Sequence, residues 1–435
     1  MGTKGTRLPS ALRALRHRNY QLFFGGQLIS LTGTWMQSVA QAWLIYRMTN
    51  SAVLLGFVGF ASQIPVFLLA PVGGAVADRY NRHRILVATQ TVSMLLAFAL
   101  AALTLTGRIE EWHIFVLAAL LGVVNAFNIP AQSAFVVDMV GRDDLVNAIA
   151  LNSSMVNGAR IAGPAVAGIL VAAIGEGWCF FANALSYVAV IIGLLLIKVE
   201  PRRLGRPHPF RAGVAEAFNF VRHTGPVGGL LLLLGLISFT GMRFEVLLPV
   251  FAREVLRGGP GVFGLLMGAS GVGAILGSMT LAALGDVRWL ADWVGYTAAG
   301  FGAGLILLSL SNSFPLSGGL MLLIGFTMVA QLDASNTLVQ RIVPDELRGR
   351  VMAIWTMMLT GLAPFGSLLL GVLAQRFGTQ KTLRAGGVAC VMGAAAFGFS
   401  LPILEREARK LILKRARADG RGVVKMKSGD ESAAG

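Results

Sequence analysis

The chain has 435 residues, 55% of them apolar and only 13% charged, with a formal net charge of +16. An ordinary soluble chain carries ~25% charged residues. Too few charges are present to cover a soluble surface, and so large an apolar share excludes a disordered chain. Two cysteines exclude a disulfide scaffold, and what remains is a helical integral membrane protein.

A hydrocarbon core needs ~20 helical residues to span it. Twelve apolar spans are expected, at 20–46, 52–76, 85–106, 112–138, 146–174, 178–198, 227–252, 260–285, 290–311, 315–340, 350–375 and 382–404. Turn or charged segments punctuate them, among them Thr49-Asn50-Ser51, Asp78 to Arg84, Gly175 to Gly177 and Pro344 to Arg350. An even span count puts both termini on one side. On that side fall 28 of the 37 Lys and Arg residues; seven lie opposite, and Arg160 and Arg243 lie within spans. This asymmetry places both termini in the cytoplasm of a bacterial inner membrane. It also accounts for the basic charge without a nucleic-acid partner, because apolar spans separate every basic cluster. Arg376, Lys381 and Arg384 run against the rule, so the boundary between the last two spans is the least secure.

The longest inner connection is 199–226. It carries Pro201, Pro207 and Pro209, then Phe210, Val214, Phe218 and Val221 on one helical face, the pattern of a short helix lying at the membrane surface. The expected organisation is a basic N-terminal segment (1–19), a six-helix bundle (20–198), this linker, a second six-helix bundle (227–404) and a basic tail (405–435). The halves repeat one another. Leu28-Ile29-Ser30-Leu31-Thr32-Gly33 returns as Leu236-Ile237-Ser238-Phe239-Thr240-Gly241, an offset of 208 residues. At the same offset Gly56 maps onto Gly264, Ala61-Ser62 onto Ala269-Ser270 and Asp78 onto Asp286. Parallel repeats of this kind relate two lobes by an axis along the membrane normal.

The inner loop after the second span reads Gly74-Ala75-Val76-Ala77-Asp78-Arg79-Tyr80-Asn81-Arg82-His83-Arg84. It resembles the signature loop of the major facilitator superfamily, with Asn81 where that family usually has Gly; Asn tolerates a left-handed turn better than most residues. The second-half copy keeps Gly285, Asp286 and Arg288. The resemblance covers about residues 18–404 and implies a fold of twelve transmembrane helices in two pseudo-symmetric bundles. It also implies that Asp78 and Arg82 form a charge cluster with Asp138, at the inner end of span four, and that Gly74, Asp78, Arg79, Arg82 and Asp138 latch the halves in the outward-open state. A topology determinant without a gating role is the alternative. Span five carries Gly158, Gly163-Pro164 and Gly168, resembling the helix-five motif of family exporters. The segments 142–170 and 343–355, with Gly33-Thr34-Trp35-Met36-Gln37, look like the enterobactin-exporter and macrolide-efflux branch.

Charges inside spans are costly and usually functional. Asp333 or Glu245 is the expected proton carrier, with Arg160 and Arg243 as possible partners in a structural ion pair. Arg243 and Glu245, two apart on a helix, do not share a face. The substrate cavity is expected to draw on Gln27, Trp35, Met36 and Gln37 of span one, Asn125, Asn128 and Gln132 of span four, Asn336 of span ten, and Trp355 and Met358 of span eleven. Aromatics and methionine give adaptable apolar contact while amides orient, which suits a bulky amphipathic solute. Cys179 and Cys390 sit in spans as small apolar fillers, and the five histidines are scattered. No metal, no cofactor and no enzyme activity are expected; a phosphate-binding GxxxxGK[ST] loop is absent. The reading is a monomeric transporter that touches lipid, a small molecule and protons, and that exports the small molecule by proton antiport. An importer, a lysophospholipid flippase or a non-transporting binding protein are its rivals.

Overall fold

The computed structural model describes residues 10–141, 143–197, 211–284 and 290–418. Gly285, Asp286 and Arg288, the linker up to Phe210 and the tail beyond 418 lie outside the described residues.

Among the described residues, twelve helical rods and one linker helix follow a short 3-10 turn (Ser10–Arg16). The rods are α1 (Arg18–Thr49), α2 (Ala52–Arg79), α3 (Arg82–Leu105), α4 (Glu111–Val140), α5 (Leu145–Ile174) and α6 (Glu176–Leu196) in the first half. The second half holds α7 (Gly225–Val255), α8 (Pro260–Leu284), α9 (Leu290–Leu310) and α10 (Phe314–Ile342). It ends with α11, which runs Asp345–Thr356, a π-helical turn Met357–Gly361 and Ala363–Phe377, and with α12 (Thr379–Ala418). Eleven of these are long and apolar enough to cross a membrane, among the described residues. The remaining rod, α1, has 32 residues; Gln27, Ser30, Thr32, Thr34, Gln37, Ser38 and Gln41 dilute its apolar character, and α5 and α6 pack along it. The linker helix Arg211–His223 stands where an amphipathic helix is expected, with Phe218 exposed and Glu216 Oε2 2.6 Å from Arg350 Nη1.

The two halves repeat one packing plan. In the first, α1 packs on α5 and α6, α3 on α4 and α6, and α2 on α4. In the second, α7 packs on α11 and α12, α9 on α10 and α12, and α8 on α10. Glycines with φ of +89° close both the α5–α6 turn (Gly175) and the α11–α12 turn (Gly378), a conformation that L side chains resist. The halves meet through α2 against α11 and α5 against α8, as a two-fold axis requires. The boundary next to Arg376 is a single-residue turn.

Two departures from the expected spans have a backbone cause. Span seven is not one regular α-helix: it breaks after Thr240, tightens to 3-10 winding over Met242–Leu247 and widens to π winding over Phe251–Val255. Pro249 supplies no N–H and its ring would clash with the carbonyl four residues back, so regular winding fails there. Pro364 acts in the same way just beyond the π turn of α11.

Candidate functional site

The face at which α1 begins and α12 ends is called proximal here, and the opposite face distal. Contact between the halves is dense on the distal side. A Cβ on Gly56 would lie 2.5 Å from the Ser367 carbonyl oxygen and 3.2 Å from Gly371 Cα. Its repeat partner Gly264 is tighter, 2.4 Å from the Pro164 carbonyl oxygen and 2.8 Å from Gly168 Cα. Only glycine allows so close a backbone approach. The Ala52 N–H donates to Gln375 Oε1 at 2.9 Å, Trp43 stacks on Phe263, and Phe60 meets Phe365 edge-on. Tyr46 Oη donates to Glu254 Oε1 at 2.6 Å. These two residues are 208 apart, the offset of the repeat itself, so they occupy equivalent places and bond across the pseudo-two-fold axis. The sequence reading passed over this pair, although the offset pointed to it.

On the proximal side the halves separate. A Cβ on Gly74 of α2 or on Gly158 of α5 would meet nothing within 4 Å. Gly158 is about 20 Å along α5 from its proximal end at 1.5 Å per residue, so open space is met as far as the middle of that helix. The glycines of the span-five motif thus divide by what they meet. Gly163 admits α1, since its Cβ would fall 2.5 Å from Trp35 Cβ, Gly168 admits α8, and Gly158 faces open space. Pro164 is buried against α8.

At the head of this gap sit the intramembrane charges. Arg160 Nη2 of α5 lies 2.7 Å from Glu245 Oε1 of α7, an ion pair between the halves with side chains 17% and 21% exposed. The Arg160 guanidinium also lies 5.7 Å from the Trp35 ring centroid, placed there by the α1–α5 approach at Gly163. Arg243 is partly buried, and Glu245 and Arg160 are its charged neighbours. Asp333 is not part of this group. It packs between α10 and α8 within the second half and accepts from Ser278 Oγ at 2.5 Å.

The expected cavity wall is redistributed. Gln27, Met36 and Gln37 are buried in helix packing rather than turned to the gap, and Gln37 Oε1 accepts from Asn183 Nδ2 of α6 at 2.7 Å. Asn128 is committed to α3, where its Oδ1 accepts from Thr89 Oγ1 at 3.0 Å and from Gln90 Nε2 at 3.4 Å, and to Gln132 at 3.4 Å. Amides pair readily inside a bundle because an unpaired one is costly there. Asn125, Gln132 and Met358 are partly buried, and Met358 Sδ packs toward Gly235. Asn336 hydrogen-bonds Gln340 on its own helix. Trp355 is buried, and its indole N–H has no partner among the described residues.

The proximal loop brings together three of the five residues expected there. Arg82 Nη1 lies 2.9 and 3.1 Å from the two Asp138 carboxylate oxygens, and Arg82 Nη2 is 3.8 Å from Asp78 Oδ1. Asp138 is 10% exposed and Asp78 74%. Arg79 is exposed. All these residues belong to α2, α3 and α4 of one half. The turn needs no left-handed residue: Asn81 has φ −66° and ψ 111°, and its Oδ1 caps α3 by accepting from the Arg84 N–H at 3.2 Å.

Two six-helix lobes on one packing plan, joined at one face and parted at the other around buried charges, are the build of a membrane transporter of the major facilitator superfamily. The chain belongs to the transmembrane secretion effector family of that superfamily, whose model matches residues 9–425. It is 28% identical over 383 residues to the staphyloferrin A transporter of Staphylococcus aureus, covering 87% of this chain and 95% of that one. It is 24% identical to the multidrug efflux pump Tap of Mycolicibacterium fortuitum (81% and 88% covered) and 27% identical to the enterobactin exporter EntS of Citrobacter koseri (91% and 93%). In fold it resembles the inward-facing, occupied bacterial homologue of the human lysosomal transporter Spinster, with a TM-score of 0.71 at 15% identity over 92% of this chain and 98% of that one. The protein is therefore an integral membrane transporter of small molecules, of the kind found in bacterial inner membranes, and not an enzyme.

Proposed function

We propose that this transporter exports an amphipathic small molecule of siderophore or drug type from the cytoplasm by alternating access, driven by proton antiport. The observation that carries the reading is the one-sided contact between the lobes, closed at Gly56, Gly264 and Tyr46–Glu254 and open at Gly74 and Gly158. The Lys and Arg asymmetry supports a cytoplasmic proximal face, and on that reading this is the state that admits a cytoplasmic solute. Rocking about the Arg160–Glu245 level would part the distal contacts and close the proximal gap. Asp78, Arg82 and Asp138 then serve as the half of a cytoplasmic latch that the second lobe completes in the other state.

For the proton, Asp333 is the better carrier of the two acids. The negative charge of Glu245 is held by Arg160, whereas Asp333 has the Ser278 hydroxyl as its hydrogen-bond partner. The relatives with siderophore and efflux names support the direction and the solute class. Inside-out membrane vesicles test it: an acid lumen should drive solute into the lumen, with siderophores and amphipathic drugs as the panel. Accumulation only under the opposite gradient would make the chain an importer.

A further inference from the structure

The charges at mid-membrane do not balance. Arg160 and Arg243 share one nearby carboxylate, Glu245, and Arg160 already holds it at 2.7 Å. Arg243 makes no hydrogen bond and has no carboxylate within ion-pair distance among the described residues. A guanidinium cannot shed its proton to escape a low-dielectric site, so an uncompensated one calls for an anion. Its planar fork of N–H donors matches a carboxylate with two parallel hydrogen bonds. The repeat adds the second half of the recognition. Arg243 is the 208-offset equivalent of Trp35, so the same position on α1 and α7 presents an indole on one side of the axis and a cation on the other. Trp35, partly buried beneath Arg160, gives an apolar plane at the level of the charge.

We infer that Arg243 is the anion-binding residue of the solute site, and that the solute is an amphipathic organic anion whose carboxylate pairs with Arg243 while its apolar body lies toward Trp35. This rests on the transport reading above and names the charge class of its substrate. Glu245 then has a dual part: it holds Arg160 between the lobes, and it competes with the solute for positive charge, so that an anion is admitted only against a resident carboxylate.

The test uses the purified full-length chain in detergent at pH 7.5 and three probes of one shape: 1-naphthoate, 1-naphthamide and 1-naphthylmethylammonium. Affinities are read by thermal shift and equilibrium dialysis. The wild type should bind naphthoate about tenfold or more tighter than the amide, the scale of a charge-assisted hydrogen-bonded pair, and the ammonium weakest. Arg243→Gln should erase the naphthoate preference, Arg243→Lys should keep part of it because charge remains while the fork is lost, and Glu245→Gln should raise naphthoate affinity. Equal binding of the three probes, no binding of naphthoate, survival of the preference in Arg243→Gln, or a fall in Glu245→Gln would each overturn the assignment. Should Arg243→Gln fail to fold, the Arg243→Lys and Glu245→Gln results decide alone. The transport reading fails separately: vesicles would then move no solute of any charge while the purified chain still ranked naphthoate first.

Discussion

Gly264→Ala tests whether the distal contact is what holds this conformation. The added methyl would sit 2.4 Å from the Pro164 carbonyl oxygen, 2.8 Å from Gly168 Cα and 2.9 Å from Gly168 N. All three are backbone atoms, so no side chain can swing aside. Ordinary contact begins near 3.4 Å, and α5 and α8 must part by about 1 Å to reach it. Overpacking of this kind costs about 1–3 kcal/mol. That penalty falls on the distally closed state and is absent once the distal ends have separated, so it shifts the equilibrium between the two states roughly 5- to 150-fold toward distal opening. Spin labels at Arg108→Cys and Asn312→Cys, exposed on distal loops of opposite lobes, report the separation by pulsed electron resonance. Cys179 and Cys390 are buried and stay unlabelled. Gly264→Ala should move population from the short distance to a longer one, while Gly158→Ala, whose methyl meets nothing within 4 Å, should leave the short population as in the wild type. Identical distributions for Gly264→Ala and wild type would refute the reasoning, as would a Gly158→Ala shift of equal size.

Asp333→Asn should abolish the dependence of vesicle transport on the pH gradient while leaving solute counterflow; a gradient response that persists would remove Asp333 from the coupling role. Asp138→Asn leaves Arg82 with a weakened partner in a largely buried place, and should lower the unfolding free energy by about 3 kcal/mol, measured by denaturant titration in detergent. Arg82→Lys should lose less, because the charge remains while the hydrogen bonds to both carboxylate oxygens are given up. At the proximal end, the His17 hydrogen bond at 2.9 Å, helped by Arg13 at 3.4 Å, holds the Asp144 carboxyl below its ordinary value of 3.8. A depressed carboxylate stabilises above its unfolded value and loses that contribution as pH falls through the folded one. Hydrogen-exchange protection of the Ser10–Arg16 turn should therefore hold down to about pH 4 and fade below 3.8; protection that instead disappears between pH 7 and 5 would assign it to another group.

What could be read from the residues, and what could not, follows from the kind of force involved. Apolar length fixes a span whatever surrounds it, so the span positions lie within a few residues of the helices, except that α12 runs on to Ala418, well past the expected end at 404 because the helix continues beyond its apolar stretch, and the offset repeat recovers the packing plan. The direction of a side chain around its helix is different, because it depends on the neighbour. Gln37 reads as a cavity amide until Asn183 of α6 is placed beside it, and Asn128 until Thr89 of α3 is. The same holds for Glu245 and Arg160, which are 85 residues apart and find one another only when α5 and α7 converge.

The repeat nevertheless held more than the fold. Where its two copies agree, both lobes need the same close approach, of neighbouring side chains at Gly33 and Gly241 and of neighbouring backbone at Gly56 and Gly264. Where they disagree, the symmetry has been broken: Trp35 stands opposite Arg243, Gln37 opposite Glu245, and Tyr46 opposite Glu254. Each of these three differences replaces a neutral side chain of the first lobe by a charge in the second. One of the three pairs, Tyr46 and Glu254, is joined directly across the axis, and the other two second-lobe residues are the charges at the head of the gap. Of these three divergences, Tyr46 and Glu254 add a hydrogen bond to the distal contact that the matched glycines Gly56 and Gly264 already make, and the proposal above gives Arg243 and Trp35 to the two ends of an asymmetric solute.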